Sequence, residues 1–283
     1  MTSTRTLPES LAGCGVSCAV AAQGSFQAPA EAIKTLRQKL EVIPGEPLAP
    51  SFLKHLEEQT LVGLEALGQA IRVHGLSPSS FLNWGVLAAP RFLGRATLAF
   101  YLQRYAVEGA WGMSPHFIPH RTLHSVSGAV SLALHLHGPN FGIDGGPGAA
   151  SQSLLAAVAM LGKGGLPGLW LLLTGWDREP LSKPSATSAG ESPSERPPIC
   201  QAVALALVPV PPGWTGLQLR VTPGSLADSR GGVNGLSSSE RFFSLEELRE
   251  ALAGAQGRVG DQVWPLVGGG TVTLGRGGKE SEP

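Results

Sequence analysis

The chain has 283 residues, of which 42% are hydrophobic and 15% charged, and Lys+Arg and Asp+Glu both total 21. This length and composition suffice for a sizeable core, in one large domain or two small ones. Zero net charge argues against a general nucleic-acid binder and against an electrostatic membrane anchor, since both need a basic surface.

The sequence also predicts a cytoplasmic protein without a membrane span. Its strongest apolar run, residues 166–176, is far shorter than the ~20 residues that cross a bilayer. Sequences near Cys14 and Ala19 look like signal-cleavage sites, but no adequate apolar segment precedes either of them.

The first half of the chain predicts strands alternating with helices. Apolar periodicity and Gly/Pro punctuation predict strands at 11–22 and 83–89, and helices at 29–43, 52–74 (ended by Gly75) and 95–107.

The second half continues this alternation. We predict helices at 123–136, 148–161 and 244–253, strands at 141–144, 169–173, 200–208 and 217–221, and a strand pair within 262–274. The second of these helices is apolar nearly all round, which predicts burial on every side, and the third begins with a Ser244/Glu247 capping box. The runs at 169–173 and 200–208 are typical of central strands, whereas 217–221 is predicted at an edge. These elements indicate the α/β class, a layered fold with a mostly parallel sheet covered by helices on both faces.

Composition suggests where the chain divides. Residues 1–225 are predicted as one domain, interrupted by a flexible Ser/Pro-rich loop at 178–198, and residues 226–283 as a short C-terminal extension. The tail at 276–283 is predicted to be disordered.

An ordered set of motifs carries a family resemblance over roughly residues 11–210. These motifs are 114–119 (SPHFIP), 128–131 (GAVS), 138–140 (GPN) and 143–147 (IDGGP), with strand-like segments at 11–16, 170–175 and 202–208. The set resembles the N-terminal half of the β-ketoacyl synthases of the thiolase superfamily. The resemblance implies half of a thiolase-like layered fold, with the family's acyl-accepting Cys at the N-terminus of a buried helix.

Two departures from the family pattern favour a non-catalytic protein. Pro147 stands at the nucleophile position, where it removes both the thiol and a backbone N–H that the family uses to hold the oxyanion. All seven histidines lie at or before residue 137, whereas the family's catalytic histidines lie in its second half, which is nearly absent here. We therefore interpret the chain as degenerate and truncated, similar to the chain length factors of fatty-acid and polyketide-type acyl chain biosynthesis.

The resemblance also implies partners. It implies an active ketosynthase or a second copy, paired through the strand predicted from Phe141 to Asp144, with an acyl carrier protein as a further partner. We expect no cofactor, no nucleic acid and no membrane among its ligands.

Other candidate sites remain open. Ser151, with His124 or His120, could serve an acyl hydrolase or acyltransferase, although no GxSxG elbow surrounds it. Gly145, Gly146 and Gly148 form a turn before a helix that could hold a pantetheine or acyl carbonyl.

Neither the histidines nor the cysteines predict a metal site. His116, His120 and His124 have helical spacing, but Pro119 interrupts the helix that a shared site would need. Cys14, Cys18 and Cys200 form no metal or disulfide pattern and are predicted to be small buried hydrophobes.

Overall fold

We describe the fold from a computed structural model. It describes residues 15–113, 120–143, 146, 148–180, 196–223, 243–254, 261–266 and 270–277. The strands are β1 (Val16–Pro29), β2 (Glu41–Ile43), β3 (Glu46–Pro47), β4 (Gly85–Arg91), β5 (Asn140–Gly142), β6 (Leu169–Trp176), β7 (Ile199–Pro209), β8 (Leu217–Pro223), β9 (Gln262–Pro265) and β10 (Gly270–Arg276). The helices are α1 (Ala30–Leu36), α2 (Pro50–Leu53), α3 (Glu58–His74), α4 (Arg95–Glu108), α5 (His124–Ala133), α6 (Ala149–Gly162) and α7 (Leu245–Gly254).

Eight of the described strands form one sheet in the order β5-β4-β6-β7-β1-β8-β10-β9. Five of them, β5, β4, β6, β1 and β10, run in one direction, so the majority are co-directional. Neighbouring strands are parallel only where β4 pairs with β5 and β6, and the other five pairings are antiparallel. The predicted parallel pairing is therefore concentrated at the β5 end of the sheet.

Helices cover both faces of this sheet, which confirms the α/β layered class. One core lies between the sheet and the side that carries α1, α3 and α5, and it contains Trp170, Leu172 and Ala204. The other lies beneath α6 and α7 and contains Leu171, Leu173 and Val203. Successive residues of β6 and β7 thus alternate between two apolar layers, and both strands are buried along most of their length, as the continuous apolar runs predict.

The second core joins the two predicted parts of the chain. Leu252 of α7, Trp264 of β9 and Val272 of β10 pack in the same core as Cys18 and Val20 of β1. The described residues after 225 therefore pack into the main sheet and core.

Several predicted helix and strand limits are wrong for identifiable reasons. The predicted helix at 29–43 ends at Leu36, and residues 41–43 form β2 instead, which turns through Gly45 (φ 81°) into β3. The predicted helix at 52–74 divides into α2 and α3. The division falls at Glu57, whose side chain accepts a hydrogen bond from the Gln59 N–H and thereby caps α3.

Two predictions about burial are also wrong. The strand predicted at an edge, β8, lies between β1 and β10, because the C-terminal strands extend the sheet beyond it. Helix α6 is not buried on every side, since Gln152 and Leu155 are exposed.

The predicted signals for the ends of two helices are confirmed. Gly75 ends α3 in the left-handed conformation, with φ 60°. The capping box before α7 has both bonds: the Ser244 N–H donates to Glu247 Oε2 (2.9 Å), and the Glu247 N–H donates to Ser244 Oγ (3.1 Å).

The predicted loop and tail lie partly outside the described residues. The part outside comprises residues 181–195 of the loop and residues 278–283 of the tail. Arg276 ends β10 and the Gly277 N–H donates to Gly216 O, so the first two residues of the predicted tail are held against the sheet. Among the described residues, no helix is long and apolar enough to cross a membrane.

Candidate functional site at the start of helix α6

The start of α6 is where the family resemblance predicts a degenerate nucleophile position. Asp144, Gly145 and Pro147 lie outside the described residues, but Gly146 and Gly148 are described. Gly146 O accepts a hydrogen bond from the Ala149 N–H, and Gly148 is the N-cap of α6, with no side-chain cap among the described residues. Residues 150 and 151, in the first turn, therefore present N–H groups that no helix carbonyl accepts.

A cavity of about 110 Å³ opens beside this helix start. It lies at the carboxyl ends of β4 and β6, between the first turns of α6 and α7. Its lining comprises Ala89, Arg91, Gly146, Ala149, Ala150, Leu173, Thr174, Gly175, Trp176, Asp177, Gln201, Phe243, Ser244, Leu245 and Glu246. The carboxyl ends of parallel strands are where open α/β sheets usually bind ligands.

Three residues in one cross-strand row form the floor of the cavity. Arg91 is in register with Gly175 on the neighbouring strand, and Gly175 is in register with Gln201 on the next. Strand alternation places all three on the α6 and α7 side of the sheet, because Ala89, Leu173 and Val203 two positions away lie in that core. Gly175 lies close to its neighbour on β4, since a Cβ at this position would be only 3.0 Å from Arg91 Cβ.

The acceptor groups around the cavity already have partners. Asp177 Oδ1 accepts a hydrogen bond from the Ile199 N–H (2.9 Å), and Glu246 lies 3.7 Å from Arg249. The Ser244 hydroxyl belongs to the capping box, and the Thr174 hydroxyl donates to Gln59 on the opposite face of the sheet (3.0 Å).

Two polar side chains line the cavity from neighbouring strands of this row. Arg91 is exposed, and its guanidinium lies over the Phe92 ring, 4.8 Å from the centroid. Gln201 is only 8% exposed, and its carboxamide is not among the buried side-chain groups that lack a hydrogen-bond partner. The sequence alone did not single out either residue. Arg91 follows the apolar residues of β4, and Gln201 is the polar exception in the run CQAVALALV.

The serine–histidine pair proposed for a hydrolase is not joined by a hydrogen bond in the structure. Ser151 is buried and its hydroxyl donates to Gly148 O (2.9 Å), while Ser153 donates to Ala150 O (2.8 Å). His124 is exposed at the start of α5, where its Nδ1 lies 3.5 Å from Ser127 Oγ.

The remaining histidines and cysteines are placed without a metal cluster among the described residues. His120 precedes α5 and stacks on His55, with ring centroids 5.8 Å apart, and His116 lies outside the described residues. Cys18 and Cys200 are buried, as predicted, and burial raises the pKa of the Cys18 thiol to about 12. Cys14 lies outside the described residues.

The strand that leads toward α6 forms one end of the described sheet. β5 pairs with β4 on one side only, and Phe141 at its centre is 50% exposed. The Ile143 N–H donates to Ala88 O (2.8 Å), which holds the chain against β4 just past the strand. Gly142 lies against the backbone of Leu123, where a Cβ would not fit.

Comparison with solved structures finds ketosynthases and chain length factors. One match is a type II polyketide synthase acyl carrier protein in complex with its ketosynthase (14% identity, TM-score 0.49), covering 69% of this chain and 62% of that chain. Another is the ishigamide ketosynthase/chain length factor (15% identity, TM-score 0.47), with 76% and 69% covered. A third is a ketosynthase in complex with its chain length factor from Xenorhabdus doucetiae (12% identity, TM-score 0.46), with 74% and 61% covered. This chain therefore covers only about three fifths of the length of the first matched chain, and the same share of the third. No family model matches this chain, and no curated protein matches it.

Proposed function

We propose that this chain is a non-catalytic ketosynthase-like accessory protein, of the chain-length-factor kind, in fatty-acid or polyketide-type acyl chain biosynthesis. The observation that carries the proposal is Pro147 between Gly146 and Gly148, at the start of α6, in the motif position of the family's nucleophile. Proline suits the first turn of a helix but offers neither a nucleophile nor an N–H.

The hydroxyls nearest this turn support the same proposal. Ser151 and Ser153 both donate to carbonyl groups of their own helix start, and both side chains are buried. A serine nucleophile needs a base within hydrogen-bond reach, and His124 hydrogen-bonds within its own helix instead.

The partner in this proposal is an active ketosynthase, which pairs with the side of β5 that has no strand partner among the described residues. An edge strand presents N–H and C=O groups that another strand can pair with, and the half-exposed Phe141 adds apolar surface. A second copy of the chain could occupy the same edge, and an acyl carrier protein would bind the assembled pair.

The first prediction is that the purified protein does not self-acylate. After incubation with acyl-carrier thioesters, intact-mass spectrometry should show the unmodified chain, because Pro147 cannot form a thioester. Pro147→Cys alone should not produce a condensing enzyme either, because no histidine follows residue 137. An acyl adduct on wild-type Ser151 would contradict the proposal and establish the hydrolase or acyltransferase alternative.

The second prediction concerns the edge strand. Light scattering should detect a complex of the wild type with a candidate active ketosynthase, and Phe141→Lys should weaken that complex at least about tenfold by placing a charge at the pairing edge. Val263→Lys is the matched control, since Val263 is 56% exposed on β9 at the opposite end of the described sheet. Equal binding by both variants would contradict pairing through β5, and circular dichroism would verify that each is folded.

A further inference from the structure

We propose that two copies of this chain associate through an apolar stripe on helix α4, which packs antiparallel on the same stripe of the second copy. The stripe consists of Leu98, Tyr101, Leu102 and Tyr105. It lies on a different element from the β5 edge strand, and the inference does not rest on the proposed function.

Helix α4 points to a partner because it is exposed along its whole length. None of its residues whose exposure is described is buried, whereas each of the other described helices buries at least one residue. Leu102 and Tyr105 are 57% and 53% exposed. Helices of this length gain most of their stability by packing an apolar face, so we expect a partner to cover this one.

The stripe is continuous along one side of the helix. Its four residues are spaced i, i+3, i+4 and i+7, which places them on one face. On the opposite side, Arg104 interrupts the exposed apolar residues Phe100 and Val107. A helix that lies on a membrane needs a polar opposite face, so these two apolar residues also argue against a lipid surface as the partner.

The stripe is complementary to itself in the antiparallel direction. A two-fold axis between residues 101 and 102 sets Leu98 of one copy opposite Tyr105 of the other. It also sets Tyr101 opposite Leu102, so each aromatic ring faces a leucine. The contact is isologous and closes at two copies, and the two helix dipoles oppose each other, which is favourable.

The charges of α4 favour a second copy over a charged partner. Each charged residue of the helix already has a partner in its own chain, since Arg104 pairs with Glu108 at 2.8 Å and Arg95 lies 3.5 Å from Glu179. A nucleic acid or an acidic protein would therefore find no unpaired cation on this helix. The formal net charge of the chain is zero, so two copies do not repel each other.

The size of the stripe sets the strength of the contact. Helix α4 has 14 residues, so the stripe is at most about 21 Å long. Two such stripes with their flanking residues bury on the order of 1,000 Å² in total, which is at the low end of specific interfaces. We therefore expect a reversible dimer with a Kd of about 1–100 µM rather than a permanent one.

Analytical ultracentrifugation of the full chain over a concentration range of about 1–300 µM tests the proposal. The data should fit a monomer–dimer equilibrium that closes at two copies. A strictly monomeric protein at the highest concentration, or association that continues beyond the dimer, would overturn it.

Charge substitutions on the two sides of α4 identify the contact. Leu102→Lys should raise the dimer Kd at least about tenfold, because it places two like charges beside the two-fold axis. Tyr105→Lys should do the same, so the result does not depend on the folding of one variant. Val107→Lys is the matched control, since Val107 is 86% exposed on the opposite side of the same helix and its Kd should stay within about threefold of the wild type. Circular dichroism would verify folding, and an unchanged Kd in both stripe variants would overturn the assignment.

Phe141→Lys separates this contact from the β5 edge. It should leave self-association unchanged, whether or not a ketosynthase binds at β5, because the stripe lies on α4. Loss of the dimer in Phe141→Lys but not in Leu102→Lys would overturn the inference and assign self-association to β5.

Cysteine pairing tests the antiparallel arrangement. A mixture of Leu98→Cys and Tyr105→Cys proteins, oxidised with oxidised glutathione, should form more disulfide-linked dimer than either protein alone. In the proposed pair residue 98 faces residue 105, whereas two copies of residue 98 are about 10 Å apart along the helices. The wild type is the background control, and both of its described cysteines are buried. Equal yields from the mixture and from each single variant would overturn the antiparallel pairing.

Discussion

Gly24→Ala is expected to destabilise the protein severely, although the substitution adds only one methyl group. Gly24 lies in β1 beneath α3, and a Cβ at this position would overlap Ala66 O and lie 2.6 Å from Ala70 N. Both atoms belong to the α3 backbone, so the clash can be relieved only by moving the helix away from the sheet. We expect a loss of at least about 3 kcal/mol in the free energy of unfolding, a large part of the 5–15 kcal/mol typical of a domain.

Urea unfolding followed by circular dichroism would measure this loss, with soluble yield as a second readout. Gly128→Ala is the matched control: Gly128 lies within α5, and the nearest atoms to an added Cβ are 3.8 Å away in the His124 ring. Alanine there should raise the free energy of unfolding by about 0.5–1 kcal/mol, because glycine is unfavourable in a helix interior. Equal midpoints for Gly24→Ala and the wild type would mean that α3 does not pack this closely on β1.

The features predicted correctly from the sequence are those encoded locally. The run LWLLL predicts a strand buried on both faces because no polar residue marks a solvent side, and β6 is buried throughout. Gly75 and the Ser244/Glu247 pair mark helix ends because their chemistry acts over three or four residues.

The features that the sequence did not reveal depend on long-range pairing. β8 looks like an edge strand until β10, more than 45 residues later, pairs with it. The break between α2 and α3 depends on Glu57, which is helix-compatible by propensity but is buried and binds the N–H groups of Gln59 and Gly94.

The cavity also depends on long-range strand pairing. Arg91 and Gln201 are 110 positions apart, and they line one cavity only because β4, β6 and β7 adopt one particular register. A register shift of one residue would turn the Gln201 side chain to the opposite face of the sheet. The glutamine within an apolar run was a visible signal, but its meaning required its cross-strand neighbours.

The buried Glu57 carboxyl should make stability fall as the pH rises from about 4.5 to about 7. It connects the starts of two helices, since it accepts hydrogen bonds from the N–H of Gln59 (2.7 Å) in α3 and the N–H of Gly94 (3.3 Å), the N-cap of α4. Burial, reinforced by the charge of Glu58, raises the pKa of Glu57 from 4.5 to about 7, although the two N–H groups and Arg121 oppose this rise.

The direction of the effect follows from proton linkage. Between these two pKa values the folded protein binds a proton at Glu57 that the unfolded chain has released, so raising the pH favours unfolding. The stabilisation is complete below the unfolded pKa and is lost as the pH passes through the folded pKa of about 7. Across this window the free energy of unfolding should fall by roughly 3 kcal/mol from Glu57 alone.

Denaturant unfolding of the wild type and of Glu57→Gln between pH 4.5 and pH 8 isolates this contribution. Glutamine is neutral at every pH, so the variant should gain stability relative to the wild type as the pH rises, while other titrating groups contribute alike to both proteins. Glu58→Gln is the control, because Glu58 is a partly exposed neighbour paired with Arg37 at 2.9 Å, and the fall due to Glu57 should persist in it. Parallel curves for Glu57→Gln and the wild type would mean that Glu57 titrates like a solvated glutamate, which contradicts its burial between the two helix starts.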